Sequence, residues 1–188
     1  MFQQSNELDS LKKVYLESRT KDDSVVCEIL AHLTEICDAE EILIYSIPYI
    51  RLSGKAVIKS TADQKKLFFL KHLSNALNNT GYYLNNHGQL ERSLVFYNQA
   101  YFIQEHSKDK IGLANSANNL GYVHKDLGDI KRALNYFQQA VHLNQETGNK
   151  YNQAFALNNM GIICRYQEQL DDALKYYEQS ALLFNEIK

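Results

Sequence analysis

The sequence predicts an all-α fold built as a solenoid of helical hairpins, and three observations carry that expectation. A short phrase returns at a fixed interval: NNTGYY at Asn78 to Tyr83, NNLGYV at Asn118 to Val123 and NNMGII at Asn158 to Ile163, each 40 residues after the last. Apolar residues within each copy fall three and four apart, as in Leu134, Phe137, Ala140 and Val141, the period of an amphipathic helix. A single Pro and eight Gly in 188 residues leave little material for linkers. One architecture therefore covers the whole length.

Overlaying 74–107, 114–147 and 154–187 aligns Asn78/Asn118/Asn158, Asn79/Asn119/Asn159, Gly81/Gly121/Gly161, Leu94/Leu134/Leu174 and Gln99/Gln139/Gln179. The same overlay pairs Leu90/Ile130/Leu170, Tyr97/Phe137/Tyr177 and Ala100/Ala140/Ser180, so apolar and small positions repeat along with the identities. A break in each copy, at NNHGQL, KDLGDI and YQEQLD, splits it into two helices. Gly88 and Gly128 suit a helix end that needs a left-handed residue, whereas the last copy has Glu168 there.

These residues resemble the tetratricopeptide repeat, whose pattern is W-x2-L-G-x2-Y, then A-x3-F, then P. The second copy offers Ala117, Leu120, Gly121 and His124, then Ala133 and Phe137; the last offers Leu157, Met160, Gly161 and Cys164, then Ala173 and Tyr177. The closing Pro is replaced by Glu105, Gln145 and Asn185, so nothing forces the second helix to stop and both helices lengthen. That accounts for a period of 40 where about 34 is usual. It is similar to the longer repeats of kinesin light chains, Pins-like polarity adaptors and bacterial regulatory proteins. The resemblance implies a right-handed superhelix (α-solenoid) in which each hairpin covers its neighbour's apolar face.

Upstream the pattern decays. SVVCEILAHLTEIC followed by EEILIYSIPYIRL reads as two helices of a degenerate repeat over 23–56, with Leu30 at the glycine position and Pro48 inside the second helix. LSGKAVIKSTADQ follows as a spacer or helix extension, giving a spacer over 57–73. Residues 6–18 carry Leu8, Leu11, Val14 and Tyr15 on one side, so 1–20 is expected to cap an array spanning 21–188. At the other end, Leu182, Leu183 and Phe184 have no following helix to cover them.

Composition narrows the function. A net charge of −2 with interspersed signs lacks the cationic cluster that nucleic acid requires. The longest apolar run, ILIYSIPYI, is too short to span a bilayer, and no signal-like segment opens the chain, so a soluble protein without membrane association is expected. Cys27, Cys37 and Cys164 are odd in number and lie in apolar helical patterns, as buried free thiols of a reducing, cytoplasmic compartment do.

No catalytic constellation emerges. The six histidines form no H-E-x-x-H pair and the cysteines no C-x2-C, which argues against zinc. No phosphate-cradling glycine loop or nucleophile elbow occurs. Asp22/Asp23, Glu40/Glu41 and Asp171/Asp172 read as helix starts that complement the macrodipole. A non-enzymatic protein without cofactor or metal is the expectation.

At 100° per residue, the buried stripe of the first helix holds Leu77, Thr80, Gly81 and Leu84, and Asn75, Asn78, Tyr82 and Asn85 fall on the face beside it. The next copies place Asn115, Asn118, Tyr122 and Lys125 there, then Phe155, Asn158, Ile162, Arg165 and Tyr166. In tetratricopeptide superhelices that face lines the inner groove, so these thirteen residues are candidates for holding a protein or peptide ligand. An Asn side chain both donates and accepts, which suits the peptide groups of an extended segment. The tyrosines and Phe155 supply rigid apolar area, and Lys125 and Arg165 suit a carboxylate. The second asparagines, Asn79, Asn119 and Asn159, are expected to tie one repeat to the next. Self-association through the C-terminal helix is the alternative use of the array, and reception of a short signalling peptide a third. The resemblance also implies a place within a larger regulatory or sensory protein.

Overall fold

The computed structural model describes residues 2–18, 22–37 and 41–187. Glu40, expected at a helix start, lies outside them. The described residues form nine helices, and the chain divides into two compact units, Met1–Ser107 and Lys108–Lys188.

Unit 1 holds α1 (Phe2–Glu17), α2 (Asp23–Ile36), α3 (Ile42–Lys59), α4 (Asp63–Asn86) and α5 (Leu90–Ser107). Asp22 starts α2 by accepting the Ser24 backbone N–H at 2.8 Å. Cys27, Leu30 and Leu33 of α2, Tyr45, Tyr49 and Ala56 of α3, and Phe69 and Ala76 of α4 form one buried cluster. Leu8, Leu11 and Tyr15 of α1 pack on it, while Val14 points outward. The helix α3 continues through Pro48 as far as Lys59, and α4 begins at Asp63. Most of 57–73 is thus helix extension, and α4 reaches 24 residues.

Unit 2 holds α6 (Lys110–Asp126), α7 (Ile130–Thr147), α8 (Lys150–Tyr166) and α9 (Leu170–Glu186). Side-chain oxygens of Asp109, Asp129 and Asn149 cap α6, α7 and α8 by accepting the backbone N–H three residues on, at 3.0, 3.2 and 3.1 Å. The exposed pair Lys110–Glu146 (3.0 Å) recurs as Lys150–Glu186 (3.1 Å), adding little to stability but repeating the register.

The two units share their helix-closing devices. In the hairpins α4–α5, α6–α7 and α8–α9 a left-handed residue ends the first helix: Gly88 (φ 71°), Gly128 (φ 78°) and Glu168 (φ 61°). The following N–H reaches five residues back, Gln89 to Leu84 at 2.9 Å, Asp129 to His124 at 2.8 Å and Gln169 to Cys164 at 2.9 Å. The turn therefore forms at Glu168 without its glycine. Along each of these three hairpins a glycine meets a ring. A Cβ at Gly81 would lie 2.8 Å from Tyr97, at Gly121 2.7 Å from Phe137, and at Gly161 2.7 Å from Tyr177.

Of the three cysteines, all free, Cys27 and Cys164 are buried and Cys37 is half-buried. Burial pushes the Cys27 thiol up to about 12, so it stays protonated and inert. No helix among the described residues is long and apolar enough to cross a membrane.

Candidate functional site

Four of the thirteen candidate side chains gather in unit 2 around one concavity. Asn115, Asn118 and Tyr122 of α6 and Phe155 of α8 line a cavity of about 290 Å³, together with Asn119, Asn144 and Asn152. The spacing explains the α6 set, because residues three and four apart share one helix face. Asn144 enters from the last turn of α7, where it is buried.

Across the cavity, Asn152 Nδ2 donates to Asn115 Oδ1 at 3.2 Å, joining α8 to α6. Asn118 Oδ1 is buried and has no hydrogen-bond partner among the described residues. A buried carbonyl oxygen without a donor costs about 1–3 kcal/mol. Tyr122 sets its ring edge-on to Phe137, centroids 5.4 Å apart, which fixes it as a wall. Phe155 packs edge-on against Tyr151 at 4.7 Å and Phe184 at 5.3 Å, and remains 39% exposed.

Lys125 lies over the Tyr122 ring at 5.2 Å and pairs with Asp126 at 3.2 Å, so its charge is partly answered within α6. Asn158, Ile162, Arg165 and Tyr166 do not line the cavity. Asn158 and Ile162 are half-buried; Arg165 and the 76% exposed Tyr166 sit with guanidinium over ring at 5.3 Å. In unit 1, Asn75 and Asn78 are half-buried on α4, Tyr82 is 53% exposed, and Asn85 Oδ1 is buried without a partner among the described residues.

The second asparagines behave differently from one another. Asn79 Nδ2 donates to Thr34 Oγ1 at 2.8 Å, tying α4 to α2. Asn159 Nδ2, by contrast, is buried without a partner among the described residues. Asn119 joins the cavity wall.

Sequence reasoning therefore missed Asn119, Asn144 and Asn152. Asn119 reads from sequence as a bridge between repeats, and Asn144 lies on a second helix whose aligned positions are Gln104, the same amide one methylene longer, and Phe184, so no common pattern marks it. Asn152 lies in the first turn of α8, where its backbone N–H donates to the capping Asn149 Oδ1. Among the described residues no cluster of three or more His, Cys, Asp or Glu is placed to hold a metal.

The tetratricopeptide repeat model matches residues 72–146 and 112–185. Among solved structures, the chain is similar to BtubC (BKLC) from P. vanneervenii, with a TM-score of 0.75 at 14% identity over 98% of this chain and 72% of that one. It is also similar to MamA, with a TM-score of 0.53 at 13% identity over 90% and 94%. No curated protein matches. At such identities the likeness concerns the fold alone, whereas the family match brings the general role of these repeats, protein–protein interaction. Since that match takes in more than half of its residues, the chain belongs to the tetratricopeptide repeat family.

Proposed function

We propose that this protein is a non-enzymatic binding scaffold and that unit 2 holds an extended peptide segment of a partner at the asparagine-lined cavity. The buried, unanswered Asn118 Oδ1 carries this reading: a peptide N–H is the donor it lacks, and the neighbouring Asn115–Asn152 pair offers further amide groups to the same backbone. Tyr122 and Phe155 give apolar walls to side chains on either side, and Arg165 is available for a carboxylate further along α8. Backbone recognition of this kind tolerates varied sequences, as a scaffold or sensory module of a larger regulatory protein requires. Buried free thiols fit a cytoplasmic setting.

The test is binding of an immobilised peptide library to the full chain and to Asn118→Ala, with far-UV circular dichroism as the folding control. Asn118→Ala is expected to weaken captured peptides about fivefold to tenfold, the worth of one buried hydrogen bond. Undiminished binding by a normally helical variant overturns the assignment of the cavity.

A second reading, self-association through α9, rests on a different observation. Leu170 and Leu174 of α9 are 65% and 58% exposed, whereas Ile130 and Leu134, their equivalents on α7, are half-buried. Light scattering on Leu174→Glu decides it: an unchanged monomer mass in both proteins removes the dimer.

A further inference from the structure

The outward face of α3 differs from that of α7. The helix α7 turns Lys131, Arg132, Asn135, Gln138 and Gln145 to solvent. The helix α3 instead turns out Ile44, Ile47 and Ile58, at 60%, 53% and 86% exposure, with Arg51 and Lys55 between them. Their spacings of three, four, four and three put all five on one side of the helix, a stripe about 21 Å long. Isoleucine is a weaker helix former than alanine or lysine, so these outward residues do nothing for α3 itself.

Beside the stripe lies a cavity of about 460 Å³, lined by Tyr15 of α1, Val26 and Leu30 of α2, and Pro48, Arg51 and Lys55 of α3, among others. The charge along this face has one sign. From Ile42 to Lys59 the helix carries Arg51, Lys55 and Lys59 and no Asp or Glu. Neither Arg51 nor Lys55 has an acidic partner among the described residues.

We propose that this face docks an acidic amphipathic helix of a partner protein, its aliphatic side chains against Ile44, Ile47 and Ile58 and its carboxylates on Arg51 and Lys55. The stripe has the length of about four helical turns, which suits a helix laid in a groove. Its positive sign selects an acidic partner, since opposite charges across an interface set specificity. A second copy of the same face is disfavoured, because a twofold contact centred on the stripe brings the like charges of Arg51 and Lys55 from both copies together. A flat bilayer surface does not reach into the cavity where Val26 and Leu30 lie.

The experiment uses the full chain and two fluorescein-labelled helical peptides of about 16 residues, sharing one leucine face and flanked by glutamates in one and lysines in the other. Fluorescence anisotropy is expected to show saturable binding of the glutamate peptide, with the lysine peptide at least about tenfold weaker. Ile47→Asp abolishes the binding while leaving helicity intact, the double variant R51E/K55E reverses the preference, and Asn118→Ala changes neither. Failure of the glutamate peptide to bind, equal affinity for both peptides, or binding insensitive to Ile47→Asp overturns the proposal. Sedimentation with phosphatidylserine vesicles but no peptide binding replaces it with a membrane contact. Dimerisation lost in Ile47→Asp without peptide binding replaces it with a second copy.

Discussion

The hairpin α6–α7 and the hairpin α2–α3 solve one packing problem in opposite ways. In α6–α7 a glycine lets the partner ring in: Gly121 has no Cβ to meet Phe137, and Leu120, Val123, Ala133 and Phe137 are all fully buried around that contact. In α2–α3 Leu30 stands at the glycine position, and the space is filled by Leu30 and Leu33 against Tyr45 and Tyr49. The first solution brings in no polar atom. The second buries a phenol, and the Tyr49 hydroxyl is answered by His72 Nδ1 on α4. Thr34 of α2 is likewise answered from α4, by Asn79. The close contact of Gly121 with Phe137 is completed within its own hairpin, whereas two polar groups of the degenerate hairpin are answered by the helix that follows it.

The largest expected effect tests the glycine-and-ring contact directly. Phe137→Ala empties the space beside Gly121 and should cost about 3–5 kcal/mol in urea unfolding of unit 2. A loss below about 1 kcal/mol would show that the ring does not carry the contact.

Next comes a pair of identical substitutions with opposite signs. Gly121→Ala drives a Cβ into Phe137 and should cost about 1–3 kcal/mol, beyond any gain in helix propensity. Gly54→Ala, in α3 with nothing within 4 Å of the new Cβ, should instead stabilise by about 0.5–1 kcal/mol. Equal signs in thermal melts would fault the close-approach account.

The polar tie of the first hairpin is expected to be weaker. Tyr49→Phe leaves the half-buried His72 nitrogen unanswered and should cost about 1–2 kcal/mol. Acid acts on the same contact. Burial holds His72 below its ordinary 6.5, so the unfolded chain protonates first. The contribution of this group is complete above that value and is lost as pH falls through the lower, folded value. His124 of unit 2 is also lowered, mainly by burial, against an opposing pull from Asp129. Urea midpoints between pH 7.5 and 5 should therefore fall for the parent and less for a His72→Gln variant; parallel curves would remove His72 from the account.

Smallest is the turn that sets α8 against α9. Glu168 holds a left-handed backbone where the other hairpins have Gly88 and Gly128, so Glu168→Gly should stabilise by about 0.5–1 kcal/mol. A thermal midpoint that fails to rise would mean that the Glu168 side chain compensates for its backbone.

Most of the architecture was legible because it is written more than once. The triplets at Asn78, Asn118 and Asn158, the glycines opposite Tyr97, Phe137 and Tyr177, and the hairpin breaks recur in register, and each is a local requirement that a sequence displays. The cavity was legible only in part. Asn118 and Tyr122 follow from one helix's rotation, but Asn144 and Asn152 join them from α7 and α8, and no spacing along the chain encodes which neighbouring helices meet there. The outward isoleucines of α3 were hidden for the same reason, since an apolar run reads alike whether its side chains face a core or solvent.

By itself, then, the sequence determined the helices, their pairing into hairpins and the membership of the repeat family, all consequences of local periodicity and of small residues set against large ones. The tertiary structure alone decided which asparagine oxygen is left without a donor, that Glu168 adopts a glycine's backbone, and that α3 presents isoleucine and cations outward. The physical reason is that satisfaction and exposure belong to three-dimensional neighbourhoods: the same asparagine is tied at Asn79, where Thr34 supplies an oxygen, and has an unanswered side-chain nitrogen at Asn159.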